Sequence, residues 1–289
     1  MPELLIEHAS QLVTLAGSAR PRVGPEMRDL GIMNDGALLA RDGVIVAVGL
    51  SSDVIAQASP EATRVDASGS VVMPGFVDAH THPVFAGTRE DEYEMRAAGL
   101  TYQQIAAQGG GIRSTVRKTR AASEHDLFEM ALPRVNWLLE HGTTTIEAKS
   151  GYGLTIEDEI KILRVIRKLN DETPLELIPT FLGAHEVPDE YRADREGYVR
   201  LLIEEMLPLV AAEGLARYCD VFCESHVFSA DESRAVLSRA KELGLGSRLH
   251  AEQLSLSGGA TLAAELGAAS ADHLEWIDAD GIIALRQTG

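Results

Sequence analysis

Val71-Val72-Met73-Pro74-Gly75-Phe76-Val77-Asp78-Ala79-His80-Thr81-His82 is the stretch that decides how the chain is read. Its apolar run predicts a buried strand over residues 71–82 that ends on two histidines, at i and i+2. Side chains alternate along a strand, so both imidazoles leave by the same face. Two imidazoles aimed at one point begin a metal site. Two ligands do not hold a catalytic metal, so other segments must supply the rest.

Downstream of Val71, strand-like runs alternate with helical stretches. Strands are predicted over residues 71–82, 143–149, 175–182, 218–224, 245–250 and 268–273. Apolar residues near helical spacing predict helices over 123–140, with Ser123 as N-cap, and over 156–170, with Thr155 as cap. Further helices are expected over 198–212, 231–243 and 261–266. Repeated β-α units mean a parallel sheet, open or closed into a barrel. The polar residues choose between them. His80 and His82, Lys149, His185, Glu224 and His226, His250 and His273 each lie at or just past the end of a different strand run. A (β/α)8 barrel of the TIM type gathers its site at that rim from many strands, whereas an open sheet uses one switch point. The expected fold class is therefore α/β, with a barrel over residues 71–289. Six strand runs precede Gly289 and a closed barrel has eight, so the barrel is expected to be truncated by roughly two β-α units.

Residues 1–70 read instead as a small β-domain of short strands broken by Gly, Asp and Pro. Residues 37–49 predict a hairpin turning at Asp42-Gly43. A formal charge of −18 argues against a nucleic-acid partner, which needs a basic face. No apolar run reaches the length of a membrane span, and the N-terminus lacks the pattern of a signal peptide. A cytoplasmic location and a small-molecule substrate are expected. Cys219 and Cys223 read as buried free thiols.

Among the rim residues, His250 is the natural third ligand beside His80 and His82. Three neutral imidazoles leave an open position, as a catalytic zinc site needs. His273 is expected to ligate the metal or to position its water. With the metal satisfied elsewhere, His185 reads as a substrate contact. Lys149 beside Glu147 reads as a structural ion pair rather than as a carbamate bridge to a second metal. Gly109-Gly110-Gly111-Ile112-Arg113-Ser114-Thr115 lacks the ending of a phosphate loop and reads as a flexible rim loop. Tyr152 and Arg89 suit a planar or anionic substrate, since an arginine fork binds a carboxylate bidentately. His125 and His141 read as solvated helix ends, and His226 is left without a role.

These motifs resemble the amidohydrolase superfamily and, within it, the imidazolonepropionase family. The residues that carry the resemblance are 78–89 (DAHTHPVFAGTR), 109–115 (GGGIRST), 147–154 (EAKSGYGL), 180–188 (TFLGAHEVP), 221–224 (VFCE), 250–253 (HAEQ) and 270–275 (SADHLE). The resemblance implies hydrolysis of 4-imidazolone-5-propanoate to N-formimidoyl-L-glutamate in histidine degradation. It implies one metal ion, zinc or iron, on His80, His82 and His250. It implies that Arg89, Tyr152, His185 and Gln253 hold the substrate, with His273 and Gln253 as catalytic residues. A homodimer is also implied, as is a β-sandwich of which residues 1–70 form half. The family's aspartate after the eighth strand has no counterpart before Gly289. Two other readings stay open: a mononuclear amidohydrolase of another kind, such as a heterocycle deaminase, and a non-catalytic barrel that acts as a scaffold.

Overall fold

Pro74 interrupts what the apolar pattern presents as one strand. Proline has no N–H to give to a sheet ladder. In the computed structural model, which describes residues 2–18, 20–101, 104–105 and 110–288, the run 71–82 is therefore two strands. Val71–Val72 pairs with Gln11–Val13, and Phe76–Thr81 opens a different sheet. The expectation of a single strand is corrected at this point. The chain divides into two compact units, Met1–Gly75 and Phe76–Gly289.

The first unit contains β1 (Glu3–Ala9), β2 (Gln11–Val13), β3 (Ile32–Met33), β4 (Gly36–Arg41), β5 (Val44–Leu50), α1 (Ser51–Ile55), β6 (Thr63–Asp66) and β7 (Val71–Val72). One sheet has the order β5-β4-β1-β6 and a smaller one β3-β2-β7. Asp42 and Gly43 both have positive φ, 51° and 79°, between β4 and β5. That is the backbone a two-residue hairpin turn demands, and the reason for Asp-Gly there. Leu5, Ala37, Leu39 and Val54 form the core beneath this sheet.

The second unit is built of β-α repeats. Its strands are β8 (Phe76–Thr81), β9 (Thr143–Lys149), β10 (Glu176–Ala184), β11 (Tyr218–Cys223), β12 (Gly246–Ala251) and β13 (Ser270–His273). They pair in sequence order, all parallel, into one six-stranded sheet. The sheet curls until its two edges meet: Asp272 Oδ2 on β13 lies 2.9 Å from His80 Nδ1 on β8. The result is a nearly closed barrel, with the βα connections at its C-terminal rim.

The helices are α2 (Glu90–Ala97), α3 (Ile112–Ala121), α4 (Glu124–Glu140), α5 (Ile156–Glu172), α6 (Arg195–Leu201), α7 (Leu207–Ala212), α8 (Ala230–Glu242), α9 (Gly259–Leu266) and α10 (Ala279–Thr288). Ser123 and Ser229 each cap a helix through a reciprocal capping box, and Thr155 caps α5. Helix α5 buries Ile162, Leu163, Ile166 and Leu169 against the sheet, as its 3.6-residue spacing predicts. The helix expected over 198–212 instead carries a wide turn at Leu202–Met206 between α6 and α7. Pro208 explains it, since that residue cannot donate to the carbonyl one turn back. On β11, Cys219, Val221 and Cys223 face the helices as buried residues, and both thiols are free. Asp220 and Phe222 therefore face the barrel interior.

Candidate active site

Strand β8 delivers His80 and, one residue past its end, His82; β12 delivers His250. One ring nitrogen from each lies within 4.8 Å of the others. His250 is only 3% exposed. The rings pack at centroid distances of 4.5 Å for His80–His250, 5.4 Å for His80–His82 and 5.7 Å for His82–His250.

The surrounding carboxylates decide which nitrogens are free. Asp272 Oδ2 meets His80 Nδ1 at 2.9 Å. Asp220 Oδ2 approaches His250 Nδ1, also at 2.9 Å, as an ion-pair contact. Burial alone raises a carboxyl pKa, yet His250 and Lys149 hold Asp220 well below its ordinary range. Asp272 is likewise lowered, with His80 and Lys149 outweighing its burial. A carboxylate facing Nδ1 occupies that side of each ring, which leaves Nε2 of His80 and of His250 as the nitrogen able to ligate. His82 Nδ1 is buried without a hydrogen-bond partner among the described residues. Burial, then the neighbouring His185 and His250, hold His82 well below the ordinary histidine pKa, so its ring is neutral. Three imidazoles, with the buried Nδ1 of His82 unpartnered among the described residues, form a donor set that fits a first-row divalent metal with a position left over.

His185, on the turn after β10, stacks on His82 with centroids 5.1 Å apart and planes at 16°. Its Nδ1 lies 3.0 Å from the Gly151 carbonyl, which can only accept, so Nδ1 carries the proton and Nε2 is an acceptor. Burial, then His250, push its pKa down to about 3. Tyr152 closes the same wall, 5.3 Å from His185 and 5.5 Å from His82 by ring centroid. His273 ends β13 at φ 77° and packs 5.1 Å from both His80 and His250. Burial, then His250 and His80, lower its pKa. Gln253 sits half-buried two residues past β12.

Arg89 is not drawn into the ring cluster. It caps α2 and engages Glu92 through Nε at 2.8 Å and a terminal nitrogen at 2.6 Å. The glycine-rich stretch is corrected too. Ile112 begins helix α3 on a Gly111 cap of φ 73°, so residues 112–115 are helical, while Gly110 and Gly111 precede the helix; Gly109 lies outside the described residues. His226 is exposed in the turn after β11. Lys149 is more than the partner of Glu147: its Nζ lies 2.9 Å from Glu147, 2.7 Å from Asp220 and 3.5 Å from Asp272.

Glu159, which the sequence reading passed over, is 1% exposed at the start of α5. It accepts from the N–H groups of Gly151, Gly153 and Leu154 at 2.7–3.0 Å. It thereby fixes the loop that carries Tyr152 and the carbonyl that orients His185. Glu224 does the same for the loop of Gln253, accepting from Leu254 N at 2.8 Å and from the Ser255 hydroxyl. A carboxylate in the first turn of an otherwise amphipathic helix, as at Glu159, is the available signal, but it is also what an ordinary helix start looks like.

No family model matches the chain. It is 56% identical over 289 residues to the imidazolonepropionase of Solibacter usitatus, covering 100% of this chain and 69% of that protein. The chain belongs to the imidazolonepropionase family. The imidazolonepropionase of Symbiobacterium thermophilum is 54% identical over 290 residues, across 99% of this chain and 68% of that one. Among solved structures, the fold is similar to 5-methylcytosine deaminase from Klebsiella pneumoniae. The TM-score is 0.66 at 15% identity, over 99% of this chain and 64% of that one. That likeness concerns the fold alone. The stretches 147–154, 180–188, 221–224 and 250–253, which carry the resemblance to the imidazolonepropionase family, lie at the C-terminal ends of β9 to β12 and on the loops that Glu159 and Glu224 hold.

Proposed function

We propose that the chain hydrolyses 4-imidazolone-5-propanoate to N-formimidoyl-L-glutamate, the ring-opening step of histidine degradation. The observation that carries this is the histidine cluster His80, His82 and His250, walled by His185, Tyr152 and His273, in a chain more than half identical to a named imidazolonepropionase. One water is consumed: a C–O bond forms at the ring carbonyl carbon, the adjacent C–N bond breaks, and the released nitrogen takes a proton. His80, His82 and His250 would hold a zinc or iron ion, which would supply Lewis-acid chemistry at the site.

The residues of the chain do the rest. His273 is kept unprotonated by its surroundings and is the base that takes a proton from water. His185 presents Nε2 as an acceptor for a ring N–H of the substrate. Tyr152 and Gln253 flank the ring. Arg89 turns from Glu92 to the propanoate, exchanging one carboxylate for another in a bidentate contact. Free buried thiols fit a reducing, cytoplasmic setting, and no described helix is long and apolar enough to cross a membrane.

The test is metal analysis together with the rate of imidazolonepropanoate loss. His80→Ala and His250→Ala are each expected to abolish turnover and to lower bound metal. Full metal content and turnover in either variant overturn the ligand set. Ammonia release from an aminated heterocycle, without turnover of imidazolonepropanoate, overturns the substrate.

A further inference from the structure

Lys149 is fully buried at the last position of β9. A buried ammonium is costly, and as a source of stability a buried ion pair is weak. The arrangement around it has a more specific character. The oxygen of Asp220 that Lys149 meets at 2.7 Å, Oδ2, is the same atom that meets His250 Nδ1 at 2.9 Å. The oxygen of Asp272 at 3.5 Å, Oδ2, is the same atom that meets His80 Nδ1 at 2.9 Å. Asp220 Oδ1 in turn accepts from the backbone N–H of His250. An ammonium has three donors, and here they reach Glu147, Asp220 and Asp272. One cation thus sits between two carboxylates that each face the Nδ1 of a different imidazole, and those imidazoles are on strands at nearly opposite ends of the sheet.

We propose that Lys149 is a positioning residue for the metal: it fixes Asp220 and Asp272, which aim Nε2 of His250 and His80 at a common point. Without it, the buried Asp220 and the half-buried Asp272 lose the ammonium they share. With no donor to fix it, a carboxylate swings away, and its histidine loses its orientation. Partners of ligating histidines commonly set metal affinity by about 10–100-fold. The inference deepens the proposed hydrolase site and rests on that reading of the three histidines as ligands.

The experiment is a zinc titration of the metal-free 289-residue chain against a competing chelator, comparing wild type with Lys149→Met. Folding is checked by circular dichroism. Zinc affinity is expected to fall about tenfold or more, while KM for imidazolonepropanoate at saturating zinc stays within twofold. Ser123→Ala, which only removes a helix cap, controls for general destabilisation and is expected to leave zinc affinity unchanged. A folded Lys149→Met with wild-type zinc affinity overturns the inference. Should that variant not fold, ¹⁵N spectra of the wild-type metal-free chain decide. Nδ1–H tautomers at both His80 and His250 support the inference, and an Nε2–H tautomer at either overturns it. A wild-type chain that binds zinc but does not turn over imidazolonepropanoate sinks the proposed function, while the zinc titration still judges Lys149.

Discussion

His185 shows how one side chain couples the site to stability. Its pKa lies at about 3 against an ordinary 6.5, because burial and the neighbouring rings resist a positive charge. Above pH 6.5 neither the folded nor the unfolded chain protonates it. Between 6.5 and about 3 the unfolded chain binds a proton that the folded chain refuses, so stability is lost as pH falls through that window. The effect amounts to a few kcal/mol at most, at about 1.4 kcal/mol per pH unit. Urea unfolding of the metal-free chain is expected to shift to lower denaturant from pH 6.5 downward. His185→Phe, which keeps the ring stack, is expected to flatten that slope; an unchanged slope would assign the acid sensitivity elsewhere. At this scale the sequence was legible for the histidines that meet at the rim, His80, His82, His185, His250 and His273. It was not legible for Asp220, Asp272 and Glu159, whose roles depend on what stands opposite them.

At the scale of elements, local chemistry was a good guide wherever a helix has a proper start. Ser123 and Asp126 form a reciprocal cap, with the serine side chain accepting from Asp126 N at 3.1 Å. Ser123→Ala is expected to cost about 1 kcal/mol, visible as a lower melting temperature with kcat unaltered. A wild-type melting temperature would mean that α4 is held by packing alone. The strand over β9 was likewise readable from its pattern. Two segments were not. Pro74 splits an apolar run between two sheets. The glycines before Ile112 look like a loop, while the segment they introduce is basic and only its Thr115, Val116 and Thr119 are buried. Periodicity in α3 is carried by small polar residues, so it is faint in hydropathy.

At the scale of the whole barrel unit, the histidine cluster draws its side chains from β8, the position just past it, and β12, and β8 and β12 are separated by three strands in the sheet. A metal held there would tie those strands together. Zinc at about 100 times its Kd is expected to add about 2.7 kcal/mol to unfolding, read as a rise in melting temperature over the chelator-treated chain. Equal melting temperatures would mean that the three histidines do not act as one site.

Spacing along the chain by itself determined the repeating β-α grammar, the helix caps, the Asp-Gly hairpin, and which histidines stand at strand ends. Those are consequences of alternation and helical period, which act over a few residues. Only the tertiary structure decided that Lys149 meets Asp220, 71 positions away, and Asp272, 123 positions away, and that Asp272 holds His80 across 192 positions. Those meetings depend on how far the sheet curls before its edges approach. That curl is a property of all six strands and their packed helices together, and no short stretch of sequence encodes it.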